Sequence, residues 1–99
     1  MLHIVNKSHA QTRTLESCLR LALPGQALLL IEDAVYAATK GGVASSGLAE
    51  AVKRLKVYAL LPDLEARGMA DALIEGVTPV DYGGFVDLAA EHPTSQSWL

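Results

Sequence analysis

The chain holds a single cysteine, Cys18, among its 99 residues. No internal disulfide can form, so the fold has to stand on packing alone. Charge is scarce as well. Charged residues make up 19% of the chain, against roughly 25% in an average soluble domain. The formal net charge of −3 lacks the basic footprint that displaces counterions from phosphates, so direct nucleic-acid binding is not expected of this chain. Long apolar runs are missing too. The run at 27–31 is far too short to cross a bilayer. The amino-terminal run at 1–5 gives way at once to polar residues rather than to a signal-type apolar region. No membrane association is expected, and the chain reads as cytoplasmic. No GxGxxG is present. The three histidines, His3, His9 and His92, contain no pair at ligand spacing, and one cysteine offers a metal little to join, so neither a metal site nor a cofactor is expected.

What is present is apolar. Hydrophobic residues make up 51% of the chain, enough for a core and for apolar surface left over to meet a partner. The length suits one domain spanning 1–99. Four short apolar runs, at 2–5, 27–31, 57–61 and 77–80, read as strands. The second and third are nearly continuous rather than alternating, the pattern of strands buried on both faces of a mainly parallel sheet. Pro79 removes a ladder donor from the fourth and places it at an edge. Helical patterns lie between the runs: 12–23, stopped by Pro24-Gly25; 46–54; a short helix after Asp63 ending at Gly68; and about 84–91, before Pro93. Alternating strands and helices make the class α/β, with four to five mainly parallel strands.

Three places could carry chemistry. The first is the carboxyl edge of the sheet, where Asn6, Glu32-Asp33, Pro62-Asp63 and Asp81 follow the strands, since open parallel sheets bind ligands there. Asp33, Asp63 and Asp81 each sit where a helix must start, so helix capping is favoured over catalysis. The second is the loop at 39–47, whose Lys40-Gly41-Gly42 and Ser45-Ser46-Gly47 have the residue types of an anion cradle without P-loop spacing; a plain connector is favoured. The third is Cys18. A sulfur-carrying cysteine reacts as the thiolate and needs exposure and a nearby cation or helix amino terminus. Cys18 falls about two turns into its helix, and Thr14, Leu15, Leu21 and Ala22 surround it at helical spacing. Locally it reads as a small buried hydrophobe with no cation at hand.

Taken in order, several blocks resemble the DsrH/TusB family of sulfur-relay subunits. They are Met1-Leu2-His3 with Asn6-Lys7-Ser8, the block from Leu28 through Ile31, Glu32 and Asp33 to Ala37, Lys56-Val57-Tyr58-Ala59-Leu60 with Asp63-Leu64-Glu65-Ala66-Arg67-Gly68, Val80-Asp81-Tyr82 with Phe85-Val86-Asp87-Leu88, and His92-Pro93 with Gln96-Ser97-Trp98. Leu15-Glu16-Ser17-Cys18-Leu19 is more similar to the DsrH branch, which carries a cysteine at this point and belongs to bacteria that oxidise reduced sulfur. The TusB branch serves the relay that thiolates the wobble uridine of certain tRNAs. The resemblance implies a three-layer Rossmann-like (DsrE/DsrF-like) fold. It also implies a heterohexamer with DsrE/TusD-like and DsrF/TusC-like subunits, and a small sulfur-carrier protein downstream. The best-supported persulfide carrier in such assemblies lies on the DsrE/TusD-type subunit. That leaves this chain a mainly structural, accessory part, with Cys18 as a secondary persulfide acceptor at most. A reading from another class is a free-standing flavodoxin-like binding domain that uses the strand ends and the Gly/Ser loop.

Overall fold

The computed structural model describes residues 1–98. Five strands, β1 (Leu2–Val5), β2 (Ala27–Leu30), β3 (Lys56–Leu60), β4 (Val77–Val80) and β5 (Ser95–Trp98), form one sheet in the order β4-β3-β2-β1-β5. Every pairing is parallel. The chain steps outward from β1 to β4 and then returns across the whole sheet to add β5 beside β1. The class and the parallel sheet are those expected from the sequence, and β4 with its proline lies at an edge.

The pleat divides the core in two. Val5, Leu28, Leu30, Val57, Ala59 and Val77 face one side. There they meet α1 (Thr14–Leu21), a 3-10 segment (Glu32–Ala38), the short helices α2 (Val43–Ser46) and α3 (Leu48–Ala51), and α4 (Leu61–Ala66). Leu2, Ala27 and Leu29 face the other, where Leu88 and Phe85 of α5 (Tyr82–Glu91) cover them. The result is a three-layer sandwich with unequal outer layers. Among the described residues α5 is the one helix on its face, and it leaves Tyr82 and Val86 62% and 66% exposed.

Several boundaries differ from the sequence expectation for local reasons. Helix α1 is shorter than 12–23, because the Thr12 hydroxyl accepts from the Thr14 amide at 3.4 Å and Ala22 is already extended. The helix expected at 46–54 is two short helices, divided at Gly47, whose φ of +80° breaks the α-helical run. α4 starts at Leu61, with Pro62 in its first turn where a missing amide costs nothing, and α5 starts at Tyr82 rather than near 84.

β5 has no apolar run to announce it; Ser95, Gln96 and Ser97 are exposed. It is anchored from its end. The indole Nε1–H of Trp98 donates to Nδ1 of His3 at 3.2 Å, and His3 is only 4% exposed. An indole nitrogen can only donate, so Nδ1 of His3 accepts, and its Nε2–H donates to Oε1 of Gln26 at 2.7 Å. That oxygen also accepts from the Leu23 amide at 2.9 Å. One polar chain thus joins the last strand, the first strand and the turn before β2. Trp98→Phe should cost about 1–2 kcal/mol by leaving a buried acceptor unmet, measured as a shift in the urea midpoint followed by far-UV circular dichroism.

Candidate functional site

Cys18 lies on the inner face of α1 with no solvent exposure, packed in the larger core cluster with Leu15 and Ala22. Burial pushes its thiol up from 9.0 to about 11, and the Arg54 guanidinium pulls weakly the other way. Arg54 corrects the expectation of no nearby cation. It reaches α1 from the connection before β3 and donates to the carbonyls of Leu19 at 2.7 Å and Ala22 at 3.2 Å. Those are the unpaired acceptors at the end of the helix, so Arg54 is engaged as a C-terminal cap. No sequence signal links it to α1, since the two are brought together only by the fold.

At the carboxyl edge of the sheet the three aspartates have different roles. Asp81 caps α5 as expected, its carboxylate accepting from the Gly84 amide at 2.7 Å. Asp33 and Asp63 do not cap. Asp33 accepts from Arg67 Nε and Nη2, each at 2.9 Å, and Asp63 accepts from the Glu32 amide at 2.6 Å. Arg67 also donates to the Asp63 carbonyl at 3.1 Å. The reason lies in Glu32, the only non-glycine residue with positive φ (+51°) among the described residues. This left-handed residue turns β2 sharply into the 3-10 segment and costs roughly 1–2 kcal/mol. Asp63 holds the strained amide, and the Asn6 side-chain amide donates to the Glu32 carboxylate at 3.3 Å. The acidic rim therefore pins the ends of β1, β2 and β3 together.

The loop at 39–47 meets the β1–α1 connection across a cleft of about 570 Å³, lined by His9, Gln11, Thr12, Arg13, Glu16 and Ser45 among others. Nε2 of His9 lies 2.9 Å from the Ser45 hydroxyl, and its Nδ1 is buried without a partner among the described residues. The two residues are 36 positions apart, and no pattern in the sequence links them. The loop is tightly built. The Thr39 hydroxyl donates to the Tyr36 carbonyl at 2.7 Å, Ser46 donates to the Ala37 carbonyl at 2.9 Å, and a Cβ on Gly42 would stand 2.1 Å from the Tyr36 carbonyl oxygen. The glycine is there because the backbone passes too close for any side chain. No group of three metal-ligating side chains comes together among the described residues.

Gly42→Ala should destabilise the chain by about 2–4 kcal/mol, since backbone has to move. Gly41→Ala, which would meet nothing within 4 Å, should stay within about 0.5 kcal/mol of the parent; thermal unfolding of the two variants side by side checks both. Cys18 should be silent to a disulfide reagent at pH 8 in the native state and react once the chain is unfolded in urea. Because the native thiol holds its proton from 9.0 to about 11 while the unfolded thiol releases it, stability should fall with rising pH across that window. Cys18→Ala should remove this segment of the pH–stability curve.

Comparison with known proteins gives these features a family. A family model described as DsrH like protein matches residues 7–95. Protein TusB of Pectobacterium parmentieri is 43% identical over 101 residues, covering 99% of this chain and all of the relative. Protein TusB of Enterobacter sp. strain 638 is 42% identical and that of Shigella flexneri 38%, with the same coverage. The structure of a protein of unknown function from Methanobacterium thermoautotrophicum, MTH1491, superposes with a TM-score of 0.73 at 22% identity over 97% of this chain and 95% of that one, a likeness of fold alone. The chain belongs to the DsrH/TusB family of sulfur-relay subunits.

Proposed function

We propose that the chain is the TusB-type subunit of the relay that thiolates the wobble uridine of certain tRNAs. It would work in the cytoplasm in a heterohexamer with TusC-like and TusD-like subunits that passes sulfur to a small carrier protein. The observation that carries this reading is the match along the whole chain, at 38–43% identity, to relatives each named TusB. It moves the weight away from the sulfur-oxidation branch, to which Leu15-Glu16-Ser17-Cys18-Leu19 had tilted the sequence reading.

The site chemistry agrees with an accessory part. Persulfide transfer needs a thiolate that a second sulfur can reach. Cys18 has neither exposure nor a lowered pKa, so its secondary-acceptor role requires α1 to open. The chain does offer apolar surface on two sides. Leu21 and Leu23 at the end of α1 are 64% and 63% exposed, and Tyr82 and Val86 stand out from α5. Such surface fits a subunit whose faces are completed by partners. Among the described residues no helix is long and apolar enough to cross a membrane.

The test is co-expression with TusC-like and TusD-like subunits, followed by loading with a sulfur donor and intact-mass spectrometry. The chain should co-purify with both, and the TusD-like subunit should gain about 32 Da, one sulfur atom, while this chain gains none. An adduct here that disappears in Cys18→Ser would make Cys18 a carrier instead. A chain that stays monomeric beside both partners, or whose deletion leaves tRNA thiolation intact, would overturn the proposal.

A further inference from the structure

Three of the four arginines are engaged. Arg20 pairs with Glu16, Arg67 with Asp33 and Asp63, and Arg54 with two carbonyls. Arg13 has no ion-pair partner among the described residues, and it stands on the wall of the His9–Ser45 cleft. Glu16, the carboxylate on that wall, lies 3.5 Å from Arg20, so Arg13 is the charge of the lining that has no ion-pair partner among the described residues.

The hydroxyl opposite has a proton to give in one tautomer of His9. His9 lies 2.9 Å from Ser45 through Nε2; with the ring proton on Nε2, the bond runs from His9 to the Ser45 oxygen, and the hydroxyl keeps its own proton to give. Its present acceptor, the Gly42 carbonyl, is 3.3 Å away, a long contact that a charged acceptor in the cleft would displace. Gln11 adds a donor on the same wall, while the Thr12 hydroxyl donates to Thr14 Oγ1 at 3.2 Å. The cleft's volume of about 570 Å³ falls within the range of small-molecule sites, while the chain's net charge of −3 disfavours a polyanion.

We propose that this cleft binds the oxyanion group of a small molecule, a carboxylate or a phosphate, seated between the Arg13 guanidinium and the Ser45 hydroxyl. The site is separate from Cys18, and the proposal does not rest on the relay reading; either can fail without the other.

The experiment is an amide-resolved NMR titration of the full chain with inorganic phosphate and, separately, with acetate, at constant ionic strength set by chloride. Saturable shifts should be confined to residues 9–13 and 45–47. Arg13→Gln should weaken binding about tenfold, the loss of one charge-assisted hydrogen bond, and Ser45→Ala by about threefold to tenfold. Lys53→Gln, which removes a surface charge paired with Glu50 and outside the cleft lining, should leave the affinity within about twofold. Saturation by phosphate alone assigns a phosphate group, by acetate alone a carboxylate, and by both the shared oxyanion chemistry. Shifts that never saturate, that spread over the whole surface, or that Arg13→Gln leaves unchanged while its spectrum remains native would overturn the proposal.

Discussion

Strand β2 has all four residues, Ala27 to Leu30, without solvent exposure, and the layering of the molecule depends on keeping it so. Each leucine side chain removed from water contributes about 2 kcal/mol, and that gain is available only if both faces of the sheet are covered. Parallel pairing on either side satisfies the strand's amides and carbonyls. A parallel sheet in turn forces every connection to cross over a face. One face receives five helical segments and the other only α5. The thinly covered face keeps Tyr82 and Val86 exposed beside its core.

The same topology gathers the polar chemistry at one edge. Parallel strands end together, so the residues after β1, β2 and β3 converge, and the fold spends them on holding the edge closed. Asp63 and Asn6 hold the left-handed Glu32, and Arg67 ties the 3-10 segment to α4. Beside them lies the open cleft between the β1–α1 connection and the loop at 39–47, walled by Arg13 and the His9–Ser45 pair. Cys18 lies on the core-facing side of α1, and the first turn of the same helix borders that cleft. A thiol and an open polar cleft thus share a helix while facing opposite environments.

Much of the fold was legible because hydrophobic periodicity is a local signal. The four apolar runs became β1 to β4, the near-continuous ones became the strands buried on both faces, and Pro79 marked an edge. β5 was not legible, because a polar edge strand of Ser95, Gln96 and Ser97 has no apolar run, and its anchor is a hydrogen bond between residues 95 positions apart. At the candidate site, Asp81 announced its cap by position. Asp33 and Asp63 have the same local context, yet the left-handed turn at Glu32 redirects them to a backbone amide and to Arg67.

The sequence by itself determined the class, the central strands, the family and the apolar surroundings of Cys18, because those depend on residue type and on spacing within a few turns. Only the tertiary structure decided which distant groups meet: Arg54 at the end of α1, Trp98 on His3, His9 on Ser45, and Arg13 left without an ion-pair partner among the described residues. Each depends on where the crossovers return the chain. That path is set by the burial of both sheet faces at once, and no local pattern encodes it.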